Sequence, residues 1–186
     1  MVESYEGWSF DDQVGHDVGT MAERLQAIVR LEVHEWQVPP VVFFKRQLRT
    51  WGQLDLLTRA GVTGGAVNNA AVLYGDRALY EALVYTHLTQ LGMARSALAT
   101  FGRALRQPVK DYADPLEAAQ DGERVSLALR SYHPDGWYAL AMTADDHETA
   151  GLANVRADVN RLVMLVDRVE NGLGPMPKTP GLRRPD

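Results

Sequence analysis

The sequence predicts an α+β fold, in which a small antiparallel sheet packs against several helices. Two observations predict this class. A β-hairpin pattern lies late in the chain, with strands expected over 124–132 and 137–143, and helical periodicity dominates the residues before and after it. Because the helices and strands are segregated rather than strictly alternating, we expect the helices to cover mainly one face of the sheet.

The hairpin prediction comes from period-two alternation and a strong turn sequence. Over 124–132, apolar residues alternate with polar or small ones, as in a strand with one buried face. The sequence His-Pro-Asp-Gly at 133–136 is typical of a turn, because proline presets φ, aspartate can hydrogen-bond its own backbone and glycine tolerates positive φ. Segment 137–143 then returns as the second strand.

Helical spacing and caps predict the remaining elements. Thr20 is the expected cap of a first helix over 21–36, and Asp76 is the expected cap of a long, largely apolar helix. Two valines and two phenylalanines at 41–44 predict a third strand beside the hairpin. A broad apolar stripe over about 150–170 predicts a long C-terminal helix that lies across the sheet.

The composition is that of an ordinary globular protein, with 46% hydrophobic and 23% charged residues among 186 and a formal net charge of -5. No apolar run approaches the roughly 18 residues that a membrane span needs, and the first residues lack the features of a signal peptide. We therefore expect a cytoplasmic protein with no membrane association. The absence of cysteine excludes disulfides, thiolate nucleophiles and cysteine-ligated zinc.

Charge and proline content divide the chain into three parts. Residues 1–19 form an acidic, aromatic arm, residues 20–171 a single α+β domain, and residues 172–186 a proline-rich basic tail. Large aromatic side chains bury much area for little lost entropy, so the arm is a candidate for partner contacts. The tail is a second candidate, because it is poorly able to form a core alone. The candidate partner-binding residues are Tyr5, Trp8, Phe10, Arg183 and Arg184.

A segment rich in turn residues lies at 52–70. Leu56, Ala-Gly-Val-Thr at 60–63, Ala-Val at 66–67 and Tyr-Gly-Asp-Arg-Ala-Leu at 74–79 follow in an order that resembles the helix-turn-helix of the tetracycline-repressor family. In that motif, glycine allows the tight turn and the two valines lock the helices together. The resemblance implies that a second helix enters the major groove of DNA.

The resemblance implies a DNA-binding transcriptional regulator as an alternative function. Asparagines would then pair with adenine edges, while basic residues contact phosphates. The implied nucleic-acid-binding residues are Lys45, Arg46, Arg49, Asn68 and Asn69. Two glycines at 64–65 would weaken the recognition helix by roughly 1 kcal/mol each relative to alanine. We therefore rank DNA binding below a simple turn between packed helices.

An acidic cluster before the C-terminal helix suggests a second alternative, a metal-dependent enzyme. Carboxylates and imidazole together are a plausible ligand set for a divalent cation, although acids at a helix start are also favoured by the helix dipole alone. The candidate metal ligands are Asp145, Asp146, His147 and Glu148. No nucleophile elbow, phosphate-binding loop or dinucleotide fingerprint is present, so we predict no catalytic residue and no cofactor.

The leading interpretation is a non-catalytic interaction protein, such as an accessory or assembly component. The arm and the tail are poorly able to form a core alone, and a hairpin edge can accept a further strand. We expect a protein partner or a homo-oligomer, with DNA as the less favoured partner.

Overall fold

The computed structural model describes residues 15–33, 37–62, 72–90, 92–132, 136–143, 155–170 and 172. Helices and strands both occur there, and the predicted α+β class is confirmed. The helices are α1 (Val18–Val29), α2 (Val41–Gln53), α3 (Asp76–Gln90), α4 (Arg95–Ala104), α5 (Pro115–Gln120) and α6 (Val159–Glu170). The strands are β1 (Arg59–Val62), β2 (Val72–Tyr74), β3 (Val125–Tyr132), β4 (Gly136–Thr143) and β5 (Val155–Asp158).

The strands form two antiparallel sheets in the described part of the chain. β1 pairs with β2, and a three-stranded sheet has the order β4-β3-β5. Val125 lies opposite Thr143 in the β3–β4 pair, and Ser126 lies opposite Asp158 in the β3–β5 pair. The larger sheet therefore has β3 at its centre.

Helix α3 occupies the centre of the domain. Residues 78–86 are buried without interruption, so this helix is covered on all sides rather than along one stripe. It packs against α1, α4 and α6. The largest fully buried side chains nearby include Trp51, Tyr85, Phe44 and Phe101.

The predicted strand at 41–44 is wrong, because Val41 is the first residue of α2. Phe44, Leu48 and Trp51 are buried on one side of this helix, at the i, i+4, i+7 spacing of a helical stripe. Burial of that stripe overrides the β propensity of the valines and phenylalanines. The third strand of the larger sheet is β5 instead.

The predicted helix-turn-helix is also wrong in its described part. Residues 54–58 form a loop after α2, in which Asp55 has a φ of 55°, and residues 59–62 form β1. Pairing of β1 with β2 satisfies the backbone there, so the residues directly before the expected turn form a strand rather than a helix. Residues 63–71 lie outside the described residues.

Two helix starts differ from the predictions. Asp17, rather than Thr20, caps α1, and its carboxylate accepts a hydrogen bond from the Thr20 backbone N–H at 2.9 Å. The last helix begins at Val159 rather than near residue 150, because 155–158 pair with β3 as a strand. The Asn160 side chain reinforces this start by accepting from the backbone N–H of Val125 at 2.7 Å.

Candidate functional site

Four charged residues and one threonine form a cluster around a buried carboxylate, which we call the Glu81 network: Glu81, Thr58, Arg77, Arg106 and Asp114. Glu81 is fully buried and accepts hydrogen bonds from the Thr58 backbone N–H at 2.6 Å and from the Thr58 hydroxyl at 2.9 Å. The side chains of Arg77 and Arg106 each place a nitrogen 3.4 Å from its Oε1 atom. Both carboxylate oxygens therefore have partners.

Arg77 extends this network to α5. Its guanidinium bonds the Asp114 carboxylate and donates to the Leu105 carbonyl at 3.1 Å. Burial alone would lower the pKa of Arg77, but Asp114 and Glu81 outweigh it and raise that pKa above its usual value. The Tyr85 hydroxyl donates to the Leu56 carbonyl at 3.1 Å, and burial raises the Tyr85 pKa. These contacts fasten two loops to α3, which is a structural role.

A second polar cluster links the residues around the start of α1 to the start of α3. His16 Nε2 and Arg24 Nη1 each lie 3.0 Å from Asp76 Oδ1, and the His16 backbone pairs with that of Tyr74. Among the described residues, the His16 ring is hydrogen-bonded to Asp76. The cluster holds in place the residues that lead into α1.

The outer face of α2 is the clearest surface that has no partner within the described chain. We use this name for Val42, Phe43, Arg46, Arg49 and Gln53. Val42 is 70% exposed and Phe43 is 39% exposed, and both arginines and Gln53 are exposed. Neither arginine forms an ion pair with a described residue. Helix α2 has three basic residues and no acidic one.

The two sides of this face border depressions. On one side a small cavity of about 110 Å³ lies between α2 and α3. Its lining residues are Phe43, Gln47, Trp51, Thr86, Thr89 and Gln90. The Thr89 hydroxyl is buried and has no hydrogen-bond partner among the described residues. Such a cavity has room for about three water molecules at roughly 30 Å³ each, or for one aliphatic side chain.

On the other side lies a larger hollow of about 550 Å³, which we call the Tyr74 cleft. Its lining residues are Asp17, Val18, Gly19, Arg49, Gly52, Gln53, Arg59, Val72 and Tyr74. A Cβ atom at Gly52 would lie 2.2 Å from the Tyr74 hydroxyl oxygen, so glycine is what allows the two elements to approach this closely. Burial raises the Tyr74 pKa, against an opposing effect of Arg59.

The structure separates the basic residues that the sequence grouped together. Arg46 and Arg49 both lie on the outer face of α2, whereas Lys45 lies toward the start of α1, where its charge helps to lower the pKa of Asp17. The main cause of that lowered pKa is the hydrogen bond from Thr20. Lys45 is thus separated from the outer α2 face.

The other predicted site residues lie outside the described residues. They are Tyr5, Trp8, Phe10, Asn68, Asn69, Asp145, Asp146, His147, Glu148, Arg183 and Arg184. Within the described ranges, no group of three or more histidine, aspartate or glutamate side chains is placed to hold a metal ion. None of the helices described is both long enough and apolar enough to cross a membrane.

Sequence reasoning missed the apolar half of the outer face and most of the Tyr74 cleft. Val42 and Phe43 were assigned to a strand, which hid their shared helix face with Arg46 and Arg49. The helical spacing of Phe44, Leu48 and Trp51 was the signal that could have revealed it. The cleft joins α1, α2, β1 and β2, and no local pattern could have shown this junction.

No protein-family model matches this chain, and no curated protein is similar enough to be recognised as its relative. Function must therefore be inferred from the residues themselves.

Proposed function

We propose that the protein is a non-catalytic interaction protein whose outer α2 face binds an acidic segment of a partner protein. The observation that carries this proposal is the exposure of apolar side chains around Arg46 and Arg49, neither of which forms an ion pair with a described residue. Among the described residues, the four large hydrophobic side chains classed as exposed are Val42, Phe43, Leu54 and Met164. Three of these lie on α2 or directly after it, which makes this surface unlike the rest of the domain.

The chemistry of the partner follows from the charges on the face. Arg46 and Arg49 lie one helical turn apart, and α2 offers no carboxylate to neutralise them. A partner segment with two or more acidic residues would supply the missing counter-charges. Exposed ion pairs contribute little by themselves, so most of the affinity must come from apolar burial.

The cavity between α2 and α3 supports an apolar anchor in that partner. Phe43 forms part of its wall and Trp51 lies next to it, so an aliphatic or aromatic side chain would meet apolar surface on both sides. The Thr89 hydroxyl, which has no hydrogen-bond partner in the part of the chain described, lies in the same wall and can bond a polar group of the bound segment. The expected ligand is therefore an acidic segment with at least one large apolar residue.

Selection from a displayed library of random 12-residue peptides tests the proposal with the full chain as bait. Enriched peptides should combine aspartate or glutamate with a large apolar residue. A double variant, Arg46→Glu with Arg49→Glu, should bind them at least tenfold more weakly, which corresponds to about 1.4 kcal/mol. Affinities measured by fluorescence polarisation at two salt concentrations would also show the expected weakening by salt.

A matched control reverses two exposed arginines on α4, through Arg95→Glu with Arg103→Glu. This variant has the same net charge as the test variant and should retain binding. Equal losses in both variants, or no enriched peptides, would contradict the proposal. Tight binding of duplex DNA that depends on Arg46 and Arg49 would also overturn it, in favour of a nucleic-acid partner. If a second copy of the chain occupied the face, light scattering would show a dimer. This result would contradict the proposal that the partner is a different protein.

A further inference from the structure

The Tyr74 cleft has the size and lining of a binding site rather than of a packing defect. Its volume of about 550 Å³ falls in the range of ligand pockets. Val18, Val72 and Tyr74 give it apolar walls, while Arg49 and Arg59 bring two cations to its edge. An occupant should therefore combine acidic groups with large apolar or aromatic side chains.

Asp17, the acidic residue in the lining, does not cancel the preference of the cleft for an acidic occupant. The Asp17 carboxylate accepts the capping hydrogen bond from the Thr20 backbone, and this bond and the nearby charge of Lys45 stabilise its negative charge. Arg59 donates to the Gly52 carbonyl at 3.1 Å and lies 3.5 Å from Asp55, but both members of that ion pair are well exposed and weakly coupled. Arg49 has no ion-pair partner among the described residues.

The chain itself brings a segment with this chemistry to the mouth of the cleft. Asp17 and Val18 line the cleft, and His16 is held beside it by backbone hydrogen bonds with Tyr74, each 2.9 Å long. The segment immediately before Gly15, residues 1–14, contains four acidic residues, no basic residue and three aromatic ones. These aromatic residues are Tyr5, Trp8 and Phe10.

We propose that residues 1–14 bind in the Tyr74 cleft of the same molecule. Attachment at Gly15 makes the binding intramolecular, so the effective concentration of the segment is in the millimolar range and even a weak contact suffices. The aromatic side chains would fill the apolar part of the cleft, and the acidic ones would meet Arg49 and Arg59. A segment bound in this way covers Arg49, which also belongs to the outer α2 face.

Disulfide trapping in the full chain tests this proposal directly, because the chain has no cysteine of its own. A variant with Ser9→Cys and Gln53→Cys places one thiol in the segment and one at the edge of the cleft. Mild oxidation should produce an intramolecular disulfide, detected by faster migration on a non-reducing gel and by mass spectrometry. The control pairs Ser9→Cys with Gln107→Cys, an exposed position after α4, and should form it at least tenfold more slowly.

Charge reversal then identifies what holds the segment. Adding Arg49→Glu, or Arg49→Glu with Arg59→Glu, to the trapping variant should slow disulfide formation severalfold, and circular dichroism would verify that each variant is folded. The single change keeps the test valid if the double variant unfolds, since Arg49 is exposed.

Three results would overturn the proposal: no disulfide, equal rates for Gln53→Cys and Gln107→Cys, or a disulfide that links two molecules. These results concern the cleft alone and leave the peptide-selection experiment undecided, because the inference does not require that the outer α2 face bind a partner. The two sites share Arg49 and Gln53, so a segment bound in the cleft should compete with peptides for the outer face.

Discussion

In the Glu81 network four charged side chains are brought together and each has a partner, whereas the two arginines on the outer α2 face are exposed and form no ion pair within the described ranges. The same difference holds for apolar groups, since α3 is covered all round while Val42 and Phe43 are left exposed. Burying the charges of the network costs desolvation free energy. This cost is offset because every charged group has an ion-pair or hydrogen-bond partner. Where charged and apolar side chains are both exposed, as on the outer α2 face, we expect them to contact another molecule.

The largest expected effect comes from Glu81→Leu, which leaves Arg77 and Thr58 without their buried acceptor. The free energy of unfolding should fall by about 3 kcal/mol, as measured by chemical denaturation. Glu23→Leu, at an exposed position of α1, is the control and should change it by less than about 0.5 kcal/mol. A loss of stability below about 1 kcal/mol for Glu81→Leu would contradict the contrast between the Glu81 network, which supports the fold, and the outer α2 face, which does not.

Gly52→Ala tests the inner side of α2, where a Cβ atom would lie 2.2 Å from the Tyr74 hydroxyl oxygen. Overpacking costs about 1–3 kcal/mol, and the better helix propensity of alanine offsets about 1 kcal/mol of it. Thermal unfolding should therefore show a net loss of stability. In a Tyr74→Phe background the clash is relieved, and the same substitution should become neutral or stabilising. Equal losses in both backgrounds would show that the close approach is not the cause.

Asp17→Ala should cost about 1 kcal/mol, because it removes the cap of α1 at the edge of the cleft. Folding lowers the pKa of Asp17 from 3.8. Its contribution is therefore fully present above that pH and is lost as the pH falls through the folded-state value. Denaturation between pH 2 and 7 should show the difference between variant and parent shrinking at low pH, with the residual cost of an alanine cap remaining. A difference independent of pH would contradict a role for the carboxylate charge.

Val42→Ser should have the smallest effect on stability, less than about 0.5 kcal/mol, since the side chain is 70% exposed. Binding of peptides selected on the outer α2 face should nonetheless weaken severalfold, as measured by fluorescence polarisation. Met164→Ser, at the exposed position on α6, is the matched control and should leave binding intact. A large loss of stability for Val42→Ser would mean that the outer face supports the fold.

Sequence reasoning reached the fold class and part of the core, since the long, largely apolar helix expected after Asp76 is α3, whose residues 78–86 are all buried. It failed at 41–44, where local β propensity and helical packing disagree and tertiary packing decides. It could not find the Glu81 network, because Thr58 and Arg106 lie 23 and 25 residues from Glu81. Only the folded chain brings them together.

The hydrogen bond between His16 and Asp76 spans 60 residues. During synthesis from the N-terminus, His16 is made long before either Asp76 or Tyr74 exists. The residues that begin α1 can therefore take their final positions only after β2 and the start of α3 have been synthesised. The Tyr74 cleft, whose walls include Asp17 and Tyr74, is completed only when this long loop has closed.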